Sequence, residues 1–480
     1  MSPRARTGWT FAITAVALLM VTLDNLVVTT ALPVIRADFN ATLESLEWTV
    51  NAYTLTFAVL LLTGAALGDR FGRKRMFTVG LAIFTAASAA AALSGSMETL
   101  ILARAVQGAG AAIVVPLTLT ILSAAVPAER RGLALGAWGA VAGLAIALGP
   151  VVGGAIAEGL NWHWIFWLNV PIGIALLPLA WLRLTESRGA SDRLDLPGLG
   201  LVSAGLLALV WGIIRGNPDG WTSVNVVASI VVGLFLLVGF VAWERRAPAP
   251  MLPLRFFRSR AFSAANLAAL LMYFGMFGSI FLLSQFLQVV QGYSPLQAGL
   301  RVLPWTIAPI FVAPIAGAMS DRVGGGLLMG IGLALQAIGL AWLAAVSSPT
   351  VPYEQLVVPF IISGVGMGLF FAPVANVVLS AVRPHEEGQA SGANNAIREI
   401  GGVFGVAVLA SVFSRYGGYA SPQAFVDGMQ AAIIVGAAVV AVGSLAAFAI
   451  PRVRRVTVGS LQVMPVGELE LEPVPVLLEP

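Results

Sequence analysis

The sequence lacks cysteine and contains little histidine and few charged residues. Its 480 positions include no cysteine, two histidines and only 10% charged residues. Without cysteine the chain has no disulfide, no thiolate metal site and no cysteine nucleophile, and two histidines do not make a histidine-rich metal site. Soluble domains carry about 25% charged residues, so this scarcity excludes an ordinary soluble fold.

Several classes of function are excluded by motifs that the sequence does not contain. There is no glycine-rich phosphate loop of the Walker A type, so nothing in the chain would hold ATP. Neither histidine stands where a serine nucleophile would need its base, and no group of carboxylates has the spacing of a metal site. The basic residues lie in short loops between apolar runs, which argues against a nucleic-acid partner. We therefore expect no enzymatic activity and no cofactor.

Long apolar runs dominate the chain. Hydrophobic residues make up 58% of it, and its mean hydropathy is +0.90. A bilayer core of roughly 30 Å needs about 20 apolar residues per helix. The first run is too long for a cleaved signal peptide, so we expect it to remain as a transmembrane helix. The sequence predicts an all-α polytopic membrane protein with fourteen transmembrane helices, at 9–34, 46–68, 76–96, 99–125, 132–157, 162–182, 196–215, 223–243, 261–290, 296–320, 327–346, 355–380, 389–414 and 428–450.

The positions of the basic residues predict which way these helices run. With the N-terminus in the cytoplasm, most of the 27 basic residues fall in cytoplasmic segments and very few in outer loops. Such a bias is the positive-inside pattern of membrane proteins. We therefore expect both termini to be cytoplasmic and the chain to be a multi-pass protein of the bacterial inner membrane.

Two motifs recur at nearly the same spacing, which indicates duplicated halves. The segment LGDRFG at 67–72 returns as MSDRVG at 319–324, so that Asp69 corresponds to Asp321. A Gly-x-x-x-Gly pair after a charged loop recurs at a similar offset. We expect two six-helix pseudo-repeat bundles with two inserted central helices. The predicted domains are an N-terminal bundle at 1–190, the two inserted helices with their linker at 191–258, a C-terminal bundle at 259–455 and a disordered cytoplasmic tail at 456–480.

The predicted fifth helix carries glycines along one face and a Gly149-Pro150 pair near its middle, followed by Gly153 and Gly154. Small residues four apart let a neighbouring backbone come close inside a membrane, and proline bends a helix by removing a hydrogen bond. Tight packing alone would explain a single glycine pair. The repeated pattern favours a hinge or a seal between two bundles that rock on each other.

Few ionisable residues lie inside the predicted helices, where each costs at least about 2.5–3.5 kcal/mol. Asp24 lies past the middle of the first helix, where it would exchange a proton or pair with a cationic substrate. The alternative is a buried acid that polar neighbours or an arginine hold permanently. Arg104 lies near the outer end of the fourth helix, where it would help a nearby carboxylate to lose its proton or merely extend to the outer interface.

Arg398 and Glu399 form a second charged group in the thirteenth predicted helix. Adjacent residues point about 100° apart on a helix, so each of these side chains needs another partner. Glu399 facing a cavity would be a second proton or cation site, and the alternative is a structural clamp between helices. Glu158, at the outer end of the fifth helix, is expected to be a solvated residue.

The loop after the second predicted helix combines glycines, an acid and a basic run. Gly68 and Gly72 let the helix end tightly and turn, and Asp69 is placed to accept hydrogen bonds from a helix N-terminus or from an arginine of the other half. The loop would latch the cytoplasmic side shut while the outer side is open, and its charges also orient the chain. The remaining charged residues of this motif and its second copy are Arg70, Arg73, Lys74, Arg75, Asp321 and Arg322.

These motifs together resemble the major facilitator superfamily, specifically its fourteen-helix drug:proton antiporter branch. The resemblance covers about residues 9–450. The loop signature is typical of the whole superfamily, whereas the fifth-helix motif implies export and the set is specific to the branch. The matching segments are LDNLVVTTALPVI (23–35), WTVNAYTL (48–55), GDRFGRKR (68–75), RAVQGAGAA (104–112), GPVVGG (149–154), NWHWIFWLNVPIG (161–173) and NNAIREIGGVFGVA (394–407).

The resemblance implies a proton-coupled antiporter of the multidrug efflux type that exports hydrophobic or amphipathic drug-like or natural-product compounds by alternating access. It also implies that Arg104 takes part in proton transfer. The expected partners are small-molecule substrates, protons and the lipid bilayer, without nucleic acid, and the expected energy source is the proton gradient. We expect the protein to be a monomer.

Some polar and aromatic residues inside the predicted helices are expected to line a substrate cavity. A few aromatic groups with little charge suit bulky compounds that are neutral or carry one positive charge. The candidates are Trp48, Asn51, Tyr53, Gln107, Asn169, Gln285, Asn376, Asn395 and Arg398.

Three alternatives fit parts of the pattern less well. A proton-coupled symporter that imports a small nutrient would share the two bundles, but the Gly149-Pro150 helix argues against it. A lipid-handling membrane protein or a receptor would not need two complete halves with charged residues at the membrane midplane. A pore would need a continuous polar stripe, which is missing.

Overall fold

The computed structural model describes residues 3–126, 131–188, 194–383 and 386–451, and the regular elements in these ranges are all helices. The predicted tail at 456–480 lies outside the described residues. The α-helices of the described ranges are α1 (Pro3–Phe39), α2 (Leu43–Phe71), α3 (Arg73–Ala92), α4 (Met97–Ala125), α5 (Arg131–Gly159), α6 (His163–Trp167), α7 (Asn169–Arg183), α8 (Leu196–Asp219), α9 (Val224–Glu244), α10 (Arg260–Gln285), α11 (Pro295–Val323), α12 (Gly325–Val346), α13 (Glu354–Ser380), α14 (Glu387–Tyr416) and α15 (Pro422–Phe448).

Thirteen helical stretches of the described residues are long and apolar enough to cross a membrane. The short helix α6 and the helix α7 together make one of these stretches. The prediction of an all-helical protein with many membrane-spanning helices is therefore confirmed. The helix α5 occupies the place of the predicted fifth span and continues through Pro150 without a break in its assignment.

The two copies of the glycine-containing loop have the same backbone shape. Gly72 joins α2 to α3 with φ 106° and ψ 127°, and Gly324 joins α11 to α12 with φ 102° and ψ 127°. A side chain would be strained at such positive φ values, whereas glycine adopts them readily. Glycine is therefore required at both corners, and the recurrence of LGDRFG as MSDRVG has a structural counterpart.

The helices form two bundles. In the first, α1 packs on α5, and α4 packs on α2 and α3. In the second, α10 packs on α14 and α15, and α13 packs on α11 and α12. The bundles meet along two seams, where α5 contacts α11 and α2 contacts α14. The seams are where any movement of one bundle against the other must occur.

The pair α8 and α9 lies beside the seam between α2 and α14. Asp195 caps α8 by accepting a hydrogen bond from the Gly198 amide at 2.9 Å. Near the other end of α8, Arg215 forms an ion pair with Glu44 of α2 at 3.1 Å, and the Asn217 amide donates to the Ser411 carbonyl of α14. The helix α8 therefore contacts both bundles.

The molecule has two ends, which we name after one acid each. The Asp69 face carries the corners at Gly72 and Gly324. The Glu158 face is the opposite end, where α5 ends and α11 begins. The bundles are apart at the Asp69 face and in contact at the Glu158 face.

Candidate functional site: a buried ion pair, a cavity and a seal

Asp24 of α1 lies at the centre of a buried polar cluster. It is 2% exposed. Its Oδ2 accepts a hydrogen bond from Arg104 Nη1 at 2.5 Å, and its Oδ1 accepts from Gln107 Nε2 at 2.9 Å and from Asn169 Nδ2 at 2.6 Å. Arg104 and Gln107 share one face of α4 because they lie three residues apart. The cluster thus joins α1, α4 and α7 through one carboxylate.

Arg104 is enclosed by protein on every side. It is 0% exposed, so it does not extend to the membrane interface, and the alternative of an interfacial arginine is excluded. Its Nε donates to the Thr49 carbonyl at 3.3 Å, and its guanidinium lies 4.1 Å from the centre of the Tyr53 ring. Arginine is always charged, and these contacts with α2 add to the pairing with Asp24.

The partners of Asp24 explain how a carboxylate can be buried here. An ion pair withdrawn from water is favourable only when hydrogen bonds satisfy its remaining atoms. Gln107 and Asn169 supply such bonds, and both amides also reach Ser88 of α3, at 2.8 and 3.4 Å. The structure therefore places Asp24 with an arginine, one of the arrangements that the sequence left open. Its role in proton exchange stays a prediction.

A second charged group lies in the other bundle. Arg398 of α14 donates to the Tyr273 hydroxyl of α10 and to Asn395 Oδ1, the latter at 3.1 Å. Its guanidinium lies 4.5 Å from the Tyr273 ring centre and 5.9 Å from that of Phe371. The expectation that Arg398 finds partners other than Glu399 agrees with this geometry. Glu399 Oε2 is buried and has no hydrogen-bond partner among the described residues.

A cavity of about 1560 Å³ lies at the Asp69 face. It is bordered by α2, α4, α5 and α14, and by the linker 245–258 between α9 and α10. Its wall is mixed: Leu62, Trp138 and Met251 are among the apolar side chains, and Asp69, Glu244 and others are charged. Asn395 also lines it and is bonded to Arg398, so the second charged group lies next to the cavity.

Most of the predicted cavity residues lie elsewhere in this conformation. Trp48 packs in the cluster between α2 and α8, and Asn376 is exposed on α13. Asn395 is the one predicted residue that borders the described cavity. Five others are buried among the helices, Gln107 and Asn169 within the first bundle through their bonds to Asp24: Asn51, Tyr53, Gln107, Asn169 and Gln285.

The linker 245–258 is a part of the site that the sequence did not reveal. Its Leu252 amide donates to Glu244 Oε2 at 3.1 Å, and Arg255 pairs with Glu386 at 2.6 Å. These two contacts fix the linker between the inserted helices and the second bundle. Three prolines, Pro248, Pro250 and Pro253, were the available signal, since they disfavour an α-helix; the linker is irregular up to Pro253 and then forms a short 3-10 helix, Leu254–Arg258.

The charged loop at the Asp69 face makes its contacts within one bundle. Asp69 pairs with Arg73 of the same loop at 2.8 Å, and not with an arginine of the other half. The N-terminus of α3 is capped by Glu186, which accepts from the Lys74 amide at 3.0 Å and from the Arg75 amide at 3.2 Å. The contact of Asp69 across the halves is therefore not made in this conformation, in which the cavity lies beside Asp69.

The second copy of the loop adds little contact. Arg70 and Arg322 are exposed, and the side chain of Asp321 lies outside the described side chains. The latch stays a prediction for a conformation in which the Asp69 face is closed.

The Glu158 face is sealed by hydrogen bonds between the bundles. Ser284 Oγ of α10 donates to the Thr29 carbonyl of α1 at 2.9 Å, and Gln288 Nε2 donates to the Thr30 carbonyl at 2.7 Å. Glu158 is exposed, as expected for a solvated residue, and it also contacts the other bundle. Its Oε2 accepts from Ser294 Oγ at 2.5 Å and from the Leu296 amide at 3.0 Å, so it caps the N-terminus of α11 in the other bundle.

The glycines of α5 bring this seal together. A Cβ atom on Gly153 would lie 2.7 Å from the Val27 carbonyl oxygen of α1, and one on Gly154 would lie 2.7 Å from Leu296 Cα of α11. Gly149 packs in the same way on Leu26. The predicted glycine face thus contacts one helix of its own bundle and one of the other, as a seal requires. Movement at this seam stays a prediction.

Comparison with known proteins identifies several relatives. The sequence profile described as Major Facilitator Superfamily matches residues 14–406 and 265–473. The tetracenomycin C resistance and export protein of Streptomyces glaucescens is 33% identical over 429 residues, which cover 88% of this chain and 79% of that protein. The multidrug resistance protein Stp of Mycobacterium tuberculosis is 35% identical over 409 residues, covering 85% and 76%. A crystal structure of the peptide transporter POT aligns with a TM-score of 0.67 over 92% of this chain and 94% of that chain; at 16% identity the likeness concerns the fold alone.

Proposed function

Because the chain belongs to the major facilitator superfamily, we propose that it exports bulky drug-like or natural-product molecules across the bacterial inner membrane in exchange for protons. The observation that carries this proposal is the opposite state of the two faces, with a large cavity at the Asp69 face and hydrogen-bonded bundles at the Glu158 face. Alternating access requires such a pair of states. The resistance and export functions named for the two relatives support the direction of transport.

The proposed topology has fourteen membrane-spanning helices. Thirteen are the long apolar stretches described above, and α5 is the fourteenth. Six spans form each bundle, and α8 and α9 are the inserted pair. The Asp69 face is then cytoplasmic, in keeping with the basic residues of its loops, and both termini lie there. The Glu158 face is the outer face, and the conformation described above is inward-open. A single chain contains both bundles and the cavity, so we propose a monomer.

The cavity supports a substrate larger than a typical metabolite. Drug-sized ligands occupy pockets of roughly 300–1000 Å³, and this cavity holds about 1560 Å³. The apolar part of its wall includes the flexible side chain of Met251, a residue type that adapts to differently shaped ligands. Trp138 offers a flat surface for aromatic rings, and its Nε1 is fixed by the Thr118 hydroxyl at 3.0 Å. These features suit bulky amphipathic compounds.

Proton coupling is assigned to the cluster around Asp24, with Glu399 as a second acid. A proton on Asp24 would cancel its charge and so weaken its pairing with Arg104, which joins α1 to α4. Loss of that pairing would favour a different packing of the two helices. A membrane potential of 100 mV supplies about 2.3 kcal/mol per charge, so one proton per cycle would maintain a gradient of roughly 50-fold for a neutral substrate.

The test is resistance conferred on a bacterial strain that lacks its own drug pumps. Cells expressing the chain are expected to survive toxic compounds that the parent strain does not, and Asp24→Asn is expected to abolish the protection. Asp427→Asn is the matched control, because Asp427 is exposed at the start of α15, and it should protect fully. Inverted vesicles should release protons when substrate is added.

Two outcomes would contradict the proposal. Full protection by Asp24→Asn at normal expression would remove Asp24 from the coupling mechanism. Accumulation of a compound inside the cells, together with protons, would indicate import by a symporter instead of export.

A further inference from the structure

A second buried acid lies in the outer half of the protein, at Glu47 of α2. Its side chain is 4% exposed, and its Oε2 has no hydrogen-bond partner within the part of the chain that the structure describes. One helical turn deeper, on the same face of α2, Asn51 is 0% exposed, and both of its amide atoms are without a partner there. Protein covers these polar groups without satisfying them.

One group near Glu47 belongs to the other bundle. Tyr419, in the turn between α14 and α15, donates its hydroxyl to Gln285 of α10, and the Arg36 guanidinium of α1 lies 3.2 Å from its ring centre. Burial raises the pKa of the Tyr419 phenol, while Arg36 lowers it and Glu47 raises it. Tyr419 therefore lies close enough to Glu47 for their charges to interact.

The charged and titratable groups near Glu47 do not neutralise it. Glu44, on the same helix, repels a charge on Glu47 and is itself paired with Arg215 of α8 at 3.1 Å. Tyr419 lies near Glu47 in the other bundle, and Arg36 of α1 stacks on the Tyr419 ring. A carboxylate that is buried without a partner is strongly disfavoured relative to its neutral, protonated form. Burial in the sealed state therefore favours the neutral form of Glu47.

Opening of the outer face changes this environment. Because Tyr419 belongs to the second bundle, it moves away from Glu47 when the bundles part at the outer face. Water then reaches Glu47, and an exposed glutamate is ionised above about pH 4.3. The same residue thus has a different number of bound protons in the two states.

We propose that Glu47 is a proton-binding site of the outer seal, which takes a proton from the outer medium as the seal closes and returns it as the seal opens. The inference rests on the proposed function only for the alternation of the two faces. It differs from the role of Asp24, whose carboxylate keeps its ion pair while the outer face is closed.

The sign of the pH dependence follows from where the proton is bound. The sealed form holds one more proton than the open form, so a lower outer pH favours the sealed form. The ratio of open to sealed molecules rises up to about tenfold per pH unit for one linked proton. The consequence for transport is that an acidic exterior favours return to the inward-open state, which is the direction that a proton-driven exporter needs.

The absence of cysteine from the sequence allows a direct measurement. Ser284 is 7% exposed and donates its hydroxyl across the seal to Thr29, so Ser284→Cys places a thiol that a reagent reaches only through an opened outer face. Right-side-out vesicles are treated with a membrane-impermeant maleimide at outer pH values between about 5 and 7, without substrate. The labelling rate is compared with that of Ser284→Cys carrying Glu47→Gln as well.

The readout is the ratio of the two rates, in which the pH dependence of the thiol itself cancels. Glutamine is neutral at every pH, as protonated glutamate is. The ratio of the rate with Glu47 to the rate with Glu47→Gln is expected to rise at least about tenfold between pH 5 and pH 7. Glu47→Leu is a second neutral variant for which the same rise is expected.

Glu354→Gln provides the matched control, because Glu354 is an exposed acid at the start of α13. The ratio of the labelling rate with Glu354 to the rate with Glu354→Gln should stay near one at every pH. A ratio for both Glu47 variants that changes less than about twofold over this range would overturn the proposal while leaving alternating access intact. A complete absence of labelling at every pH, in all variants, would contradict alternating access itself and the Glu47 site with it.

Discussion

The carboxylate of Asp24 and the guanidinium of Arg104 lie 2.5 Å apart, and neither side chain is exposed at all. The two residues are separated by 80 positions in the chain and belong to α1 and α4. Two amides, from Gln107 and Asn169, complete the hydrogen bonds of the acid. The pair therefore couples the charge state of one carboxyl group to the packing of helices that are far apart in sequence.

The first prediction concerns the stability of this pair. Asp24→Asn leaves Arg104 buried without its countercharge, and Arg104→Gln leaves Asp24 buried without its countercharge. Each substitution should lower the free energy of unfolding by about 3–5 kcal/mol. The double variant Asp24→Asn/Arg104→Gln should lose much less than the sum, because no unpaired charge remains. The measurement is the thermal unfolding temperature in detergent for all four proteins. Additive losses would show that the two charges do not depend on each other.

The second prediction concerns the hydrogen bond from Asn169 to Asp24, which is 2.6 Å long. Asn169→Ala removes a donor to the charged carboxylate, so that a proton should bind more readily. The pH at half-maximal substrate-dependent proton exchange in vesicles should rise by about one unit, equivalent to ~1.4 kcal/mol. Asn225→Ala, an exposed position of α9, should leave the profile in place. A lower pH at half-maximal exchange in Asn169→Ala would contradict the prediction.

The third prediction concerns the seam between α5 and α11. Gly154→Val would force a side chain into the Pro295 and Leu296 backbone of α11, and overpacking of this kind costs roughly 1–3 kcal/mol. The outer face should then close poorly, with loss of resistance and a leak of protons into right-side-out vesicles. Gly143→Val on the same helix meets nothing within 4 Å and should behave like the unsubstituted protein. Equal behaviour of the two variants would show that the seam tolerates bulk.

The fourth prediction concerns the cap that Glu158 provides to α11. A carboxylate at a helix N-terminus is stabilising because it interacts with the helix dipole and the free amides. Glu158→Gln should weaken the seal, so that Ser284→Cys is labelled from outside about twofold to fivefold faster. Glu354→Gln again serves as the comparison. Unchanged or slower labelling would mean that this contact does not help to close the outer face.

Part of the site was predictable from residue types alone. Asp24, Arg104 and Glu399 stand out because charged residues are costly inside apolar helices, and the corners at Gly72 and Gly324 were visible as a repeated motif. The glycine face of α5 was also predictable, because close helix packing in a membrane requires small residues. In each case the signal comes from local composition.

Other parts were not predictable because they depend on which helices become neighbours. Glu158 is solvated as its position suggests, but its bond to Ser294, 136 positions away at the N-terminus of α11, was not visible in the sequence. Glu47 belongs to no charged motif, and only the structure shows that it is buried with Oε2 lacking a partner among the described residues. Trp48 and Asn376 were reasonable cavity candidates by type, but the rotation of their helices turns them elsewhere.

The sequence by itself determined the membrane-spanning helices and the set of charged residues within them, because the transfer of each segment into lipid depends on its own side chains. Only the tertiary structure decided that Asp24 meets Arg104, that Glu47 is covered without a partner, and that one face is open while the other is sealed. Those outcomes depend on contacts between distant helices, whose energies are set by how the helices pack and rotate against one another.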